Sequence, residues 1–155
     1  MKFIAMVTML LSLVAPVHAD KLLGKSETIK YLQDMANNHG IKDSIDWSLT
    51  YSFDDCSITR NNISGDDMSW YKQTIKLIDL DNISSRVYDN GINTNCIQLM
   101  SIGDKVKIER PTNAQMAKDL YICLDSFEVA QKMFQGIKHL TNLCGPKQDF
   151  IDPFE

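Results

Sequence analysis

The sequence has little positive charge. Among its 155 residues, 16 are lysine or arginine and 20 are aspartate or glutamate, which gives a formal net charge of −4. Proteins that grip the phosphates of nucleic acid need a basic face, so this balance excludes nucleic acid as a default partner. The same balance favours a protein partner that is basic, because an acidic surface speeds association with one.

The motifs of the common catalytic and cofactor-binding classes are missing as well. The chain has no Walker A loop, no G-x-G-x-x-G, no H-E-x-x-H and no G-x-S-x-G, so neither a nucleotide site, a zinc protease nor a serine hydrolase is indicated. Neither His39 nor His139 has a neighbour at the spacing of a metal pair. We therefore predict no catalytic residues, no metal, no cofactor and a protein that is not an enzyme.

Only one long apolar run occurs, and it lies within residues 1–19. It follows Lys2, and Val17 and Ala19 then supply short side chains before a polar stretch. This three-part pattern is typical of a secretory signal, and the run is shorter than the roughly 20 apolar residues of a membrane span. We predict cleavage after Ala19 and a periplasmic or secreted protein without a membrane span.

The rest of the chain predicts one domain and a tail. Residues 20–146 mix apolar and polar side chains in the proportions of a globular domain, and residues 147–155 are acidic. We predict a single α+β domain over residues 20–146, followed by an acidic, flexible tail over residues 147–155.

Four cysteines, Cys56, Cys96, Cys123 and Cys144, lie in the predicted domain. An even number in an exported chain favours disulfide bonds, and the lack of close cysteine pairs argues against a redox motif or a zinc site. Three pairings are possible, and the sequence alone does not choose among them. We favour Cys56–Cys144 and Cys96–Cys123, because a bond at Cys144 would fasten the end of a predicted helix to the first hairpin.

The clearest secondary-structure signal is a strand from Ile45 to Phe53, where apolar and polar residues alternate. Helical periodicity appears over residues 26–39 and 126–143, and Gly40 and Gly145 follow where these helices would end. Further strands are predicted at residues 56–59, 68–77, 86–88, 96–101, 106–110 and 120–124.

Two stretches are predicted as connections, a polar loop at residues 61–67 and a longer excursion at residues 111–117. The resulting order is a helix, about seven strands and a helix. Because hairpins dominate, we predict an α+β fold in which an antiparallel roll or barrel is covered by a C-terminal amphipathic helix.

The predicted domain closes with Leu143-Cys144-Gly145 and has a further cysteine, Cys56, after its first strand. In this it resembles uncharacterised exported bacterial domains, and its element order over residues 44–144 resembles a pleckstrin-homology-like roll. The resemblance implies such a fold and a disulfide bond, and it implies no catalytic residues. Rolls of this kind bind lipids, peptides or proteins, so the fold does not specify a function.

Two aromatic residues, Trp70 and Tyr71, stand side by side in a predicted strand. Neighbouring strand residues point to opposite faces, so we expect one of the two at the surface, where aromatic side chains often anchor interfaces. Asp66 and Asp67 belong to the polar loop beside them. We predict that these four residues form a binding site, with the two aspartates at its rim.

These observations favour an exported, non-catalytic binding protein that acts on another envelope or secreted protein, as an inhibitor, an immunity protein or an adaptor does. Small size, disulfide bonds and the missing catalytic motifs support this hypothesis. The alternatives are a carrier of a small apolar ligand, which a large internal pocket would favour, and a hydrolase with a dispersed site. The sequence leaves the oligomeric state open.

Overall fold

The computed structural model describes residues 23–41, 43–44, 47–64, 70–89 and 95–145. Within these ranges the chain forms an N-terminal helix, nine strands and a C-terminal helix, so the predicted α+β class is confirmed. The elements are α1 (Lys25–His39), β1 (Asp43–Ser44), β2 (Trp47–Asp54), β3 (Ser57–Ser64), β4 (Trp70–Lys76), a 3-10 turn (Leu77–Asp79), β5 (Leu80–Asp89), β6 (Asn95–Ser101), β7 (Val106–Glu109), β8 (Ala114–Ala117), β9 (Asp119–Leu124) and α2 (Phe127–Cys144).

The strands form two antiparallel sheets. The larger sheet has the order β1-β2-β3-β4-β7-β8, and the smaller has the order β5-β6-β9. The chain leaves the larger sheet through the 3-10 turn after β4 and returns to it at β7. As a result β4 pairs with β7, although two strands of the other sheet separate them in sequence.

The strand pattern differs from the prediction at residues 61–67 and 111–117. β3 continues to Ser64, where a loop was predicted, because it pairs along one edge with β2 and along the other with β4. β8 lies inside the predicted excursion and pairs, among the described residues, only with β7. Most of its side chains are exposed, as in Met116, so no apolar alternation marks it as a strand.

The two helices pack on each other and on the sheets, and they contribute much of the core. Gly136 of α2 stands against Leu32 of α1, and an added Cβ would lie 2.9 Å from Leu32 Cδ2. The missing side chain therefore permits this close approach. Phe127, the first residue of α2, is 44% exposed. The buried residues of α2 are Ala130, Met133, Phe134, Ile137 and Leu140.

Two disulfide bonds join Cys56 to Cys144 and Cys96 to Cys123, the pairing that the sequence favoured. Cys56 lies in the turn between β2 and β3 and Cys144 ends α2, so their bond fastens the helix to the first hairpin. Cys96 and Cys123 face each other directly across β6 and β9. Both bonds are compatible with an extracytoplasmic protein.

Candidate binding surface

The two aromatic residues of the predicted binding site, Trp70 and Tyr71, lie on opposite faces of the larger sheet. Trp70 is 41% exposed, whereas Tyr71 is half-buried and lies on the face that carries the fully buried Ile75. Trp70 is therefore the aromatic residue that faces outward. Asp66 and Asp67 lie outside the described residues, and their place at the rim stays a prediction.

Trp70 is the cross-strand partner of Ile63 on β3. Directly opposed residues have Cβ atoms roughly 4.5–5.5 Å apart and lie on the same face. Ile63 is 42% exposed, much like Trp70. The two side chains therefore form one apolar patch on the outer face of the larger sheet, which we call the Ile63–Trp70 pair.

The outer face continues along β4 as a row of lysines. Lys72 and Lys76 follow Trp70 at even spacing, so their side chains leave the strand on the same side. The register of β4 with β7 sets Lys72 opposite Glu109, and Lys107 stands two residues before Glu109. Charged side chains of both strands therefore share this face.

A groove of about 830 Å³ crosses this face, between β4, β7 and β8. Two carboxylates, Asp79 and Glu109, also line it, together with Met116, which is 55% exposed. The groove is positively charged, because its four lysines outnumber its two carboxylates, whereas the net charge of the chain is −4. We call it the lysine groove after the four lysines that line it, Lys72, Lys76, Lys105 and Lys107.

One lysine of the groove is paired within the fold. Lys107 Nζ lies 2.7 Å from Glu109 Oε1, and this hydrogen bond, with the charges of Lys107 and Lys72, holds the pKa of Glu109 below its usual range. In the described part of the chain, Lys72, Lys76 and Lys105 form no ion pair. These three ammonium groups are therefore open to the carboxylates of a ligand.

Tyr71 belongs to a polar group on the inner face of the same sheet. Asn62 Nδ2 donates to the Tyr71 hydroxyl over 3.0 Å, and the Arg60 guanidinium lies 5.7 Å from the centre of the Tyr71 ring. Arg60 also donates to Gln73 Oε1 at 3.5 Å. These contacts hold Tyr71 away from the Ile63–Trp70 pair, so the structure does not bring the two aromatic residues into one surface.

The outer face of the smaller sheet carries a closed network of polar side chains. Gln98 Nε2 donates to Asp119 Oδ2 at 2.9 Å and to the Tyr121 hydroxyl at 2.8 Å. Arg86 Nε donates to Gln98 Oε1 at 3.1 Å, and the Tyr121 hydroxyl donates to Asp119 Oδ2 at 2.7 Å. Burial, followed by the hydrogen bond and charge of Asp119, raises the pKa of Tyr121 to about 12. These groups satisfy one another within the fold.

The histidines hold segments of the fold together. His39 Nδ1, at the end of α1, lies 3.2 Å from the Asp125 carboxylate, which precedes α2. His139 Nε2 lies 2.7 Å from the carbonyl oxygen of Leu23. Among the described residues, no group of three or more histidine, cysteine, aspartate or glutamate side chains is placed to hold a metal ion. Nor does any helix in those ranges have the length and apolar character to cross a membrane.

Sequence reasoning missed the lysine groove and Ile63. The spacing of Lys72 with Lys76, and of Lys105 with Lys107, is a visible signal for two strand faces rich in lysine. That these faces adjoin depends on the pairing of β4 with β7, which links distant parts of the sequence.

No protein-family model, curated protein or solved structure matches the chain. The function of this surface is therefore inferred from its own residues. It combines two features on one sheet face, an exposed apolar pair on adjacent strands and a groove in which three of the four lysines form no ion pair with a described residue.

Proposed function

We propose that the chain is an exported, non-catalytic binding domain that acts on another envelope or secreted protein. The observation that carries this proposal is the Ile63–Trp70 pair, two large apolar side chains left exposed on adjacent strands. Covering such a pair removes apolar surface from water, and tryptophan is among the residues that most often dominate binding energy at interfaces.

Export is supported by two independent features. The disulfide bonds suit an oxidising compartment, and the pattern of residues 1–19 predicts a secretory signal cleaved after Ala19. The likeness to exported bacterial domains with a pleckstrin-homology-like roll belongs to the same proposal, and the order of a helix, antiparallel strands and a closing helix supports it.

The charge of a partner affects its approach, and its apolar surface affects the contact that follows. The net charge of −4 favours the approach of a basic protein, because the field of the whole chain steers encounters over distance. Contact at the Ile63–Trp70 pair is apolar and depends on shape. The groove beside it is lined mainly by charged and polar side chains, which favours a protein ligand over a small apolar one.

Affinity capture with matched variants tests the proposal. The oxidised chain, its Trp70→Ala variant and its Tyr31→Ala variant would each be exposed to extract of the source cell envelope and medium. Tyr31 is a suitable control because it is an aromatic residue of α1 with 38% exposure. We expect one stoichiometric protein on the unaltered chain and on Tyr31→Ala, with at least about tenfold weaker binding to Trp70→Ala.

The unfolding temperature separates a binding effect from a folding effect. Trp70→Ala should unfold within a few degrees of the unaltered chain, because Trp70 is partly exposed at the start of its strand. Capture that does not depend on Trp70, or an absence of any stoichiometric protein, would overturn the proposal. A reduced, unfolded sample serves as the control for non-specific binding.

A further inference from the structure

The larger sheet ends at β8, whose outer edge pairs with no other described strand. On its inner side β8 pairs with β7. The other strands that end a sheet, β1, β5 and β9, each carry at least one charged residue, whereas β8 has none. Charged side chains on an edge strand hinder pairing with another chain, so β8 lacks this protection against an added strand.

The register of the hairpin shows which backbone groups of β8 point to the open edge. The Arg110 amide donates to the Asn113 carbonyl oxygen at 2.9 Å, and hydrogen-bonded and non-hydrogen-bonded pairs alternate along an antiparallel ladder. Counting from this pair, Gln115 bonds to β7, whereas Ala114 and Met116 direct their N–H and C=O groups to the open edge.

The same two residues face the lysine groove with their side chains. Ala114 lies opposite Glu109 and Met116 lies opposite Lys107 in the register of β7 with β8, and all four line the groove. A strand added beside β8 would lie about 4.8 Å from it and would present every second side chain to the groove. The side chain of Ala114 is short and that of Met116 is flexible, so long side chains of the added strand can reach the lysines of β7.

The charge of the groove indicates which kind of strand fits. Its lysines outnumber its carboxylates, and one carboxylate, that of Glu109, is already paired with Lys107. Carboxylates at alternate positions of an added strand would therefore meet positive charge, with Lys105 free of any ion pair to a described residue. Surface charges beyond roughly 8 Å are largely screened at physiological salt, so these nearby lysines outweigh the net charge of −4.

A second copy of the chain fits this edge less well than an acidic strand does. Antiparallel pairing of two β8 edges would place the same sheet face of both copies on one side. The two lysine grooves would then lie next to each other, and like charges brought together at an interface are unfavourable.

We propose that β8 binds an extended acidic segment of another protein, which joins the larger sheet as an antiparallel strand with carboxylates at alternate positions over the lysine groove. Main-chain hydrogen bonds to Ala114 and Met116 supply affinity in this mode of recognition, and the lysines select an acidic sequence. The contact goes beyond the proposed function, because it uses neither Ile63 nor Trp70.

Nuclear magnetic resonance on the oxidised chain, labelled with ¹⁵N and with ¹³C at methionine methyl groups, tests the contact. The probe is a short peptide with blocked ends in which threonine and glutamate alternate. We expect saturable shifts of the Ala114 and Met116 amide signals, because their outward N–H groups gain acceptors. The Met116 methyl signal should shift at the same peptide concentrations.

Two N-methylated forms of the peptide separate strand pairing from simple attraction of charge. Glutamates that face the groove lie opposite Ala114 and Met116, so their own N–H groups point to β8. N-methylation of the glutamate amides should therefore abolish binding. N-methylation of the threonine amides, which point away from β8, should retain most of it.

Substitutions within the groove test the role of the lysines. Lys105→Gln combined with Lys107→Gln should weaken binding of the peptide about fivefold or more, because two ion pairs with glutamates are lost. Lys30→Gln is the matched control, since Lys30 is an exposed lysine of α1, and it should leave binding unchanged. Raising sodium chloride from about 0.05 M to about 0.5 M should weaken binding to the unaltered chain.

Three results would overturn the inference. Equal binding of the two N-methylated peptides would show attraction of a polyanion without an added strand. The absence of saturable shifts at Ala114 and Met116 would exclude the edge as the site. Shifts of the same amides when the chain alone is concentrated would assign the edge to a second copy. Trp70→Ala should bind the peptide as the unaltered chain does, so failure of this inference is distinguishable from failure of the proposed function.

Discussion

The two outward sheet faces use their polar side chains in opposite ways. On the smaller sheet, Gln98, Asp119 and Tyr121 bond one another. On the larger sheet, Lys72 and Lys76 have no ion pair with a described residue and stand beside an exposed apolar pair. Side chains that satisfy one another stabilise the fold, whereas groups left open at the surface are available to a ligand. This difference favours the larger sheet as the site of the proposed interaction.

The largest expected loss of stability comes from removing one disulfide bond at a time. Cys56→Ala with Cys144→Ala should lower the free energy of unfolding by about 4.6 kcal/mol, because that bond joins residues 88 apart. The bond between Cys96 and Cys123 joins residues only 27 apart, so Cys96→Ala with Cys123→Ala should lower the free energy of unfolding by about 3.6 kcal/mol. Urea denaturation of the two variants measures both values, and the reverse order would contradict the chain-entropy account.

Opening the network of the smaller sheet should cost less. Gln98→Ala removes three hydrogen bonds and leaves the contact between Tyr121 and Asp119, so we expect a loss of about 1–2 kcal/mol in the free energy of unfolding. Lys76→Gln on the other face should change it by less than about 0.5 kcal/mol. Equal losses in the two variants, measured by urea denaturation, would remove the contrast between the faces.

Alkaline pH offers a gentler way to open the same network. The folded chain holds the Tyr121 proton more tightly than the unfolded chain does, since the folded pKa is about 12 against a usual value of 10.0. Its contribution to stability is therefore complete below about pH 10 and is lost as the pH rises towards about 12. The near-ultraviolet titration of the unaltered chain minus that of Tyr121→Phe should have its midpoint near the higher value. A midpoint at the usual tyrosine value would show that the network does not hold the proton.

The smallest effect is expected at the ion pair between Lys107 and Glu109 in the lysine groove. Lys107→Gln removes the hydrogen bond to Glu109, so the pKa of Glu109 should rise towards its usual value. The unfolding temperature should not change measurably, because exposed ion pairs contribute little to stability. A ¹³C titration of the Glu109 carboxyl group measures the shift, with Lys30→Gln, at an exposed lysine of α1, as the control. An unchanged pKa would show that Lys107 is not the main cause of the depression.

The parts of the fold that bury one face were predictable from the sequence. Tyr51 and Phe53 are buried in β2, as their alternation with polar residues indicates, and the stripe of α2 reveals the closing helix. β8 was not predicted because most of its side chains are exposed, so no apolar alternation marks the strand. Its strand geometry comes from backbone pairing with β7. β3 was cut short for a related reason, since asparagine is rare in strands and pairing on both edges overrides this preference.

The candidate surface was predictable only at Trp70. A pair of neighbouring aromatic residues indicates that one is exposed, but which one depends on the register with β3, where Trp70 meets Ile63. The lysine groove depends on a pairing between β4 and β7 that local patterns do not contain. The contribution of Asp66 and Asp67 stays a prediction, since both lie outside the described residues.

The exposed turn at Pro111–Asn113, which joins β7 to β8, is bracketed by both disulfide bonds. A protease that cuts a peptide bond there separates the chain into two polypeptides, yet each remains tied to the other by two covalent bonds and by the ladder between β7 and β8. The nicked molecule therefore runs as one species on a gel until a reductant is added. In a compartment rich in proteases, such a domain tolerates a broken backbone without losing either half.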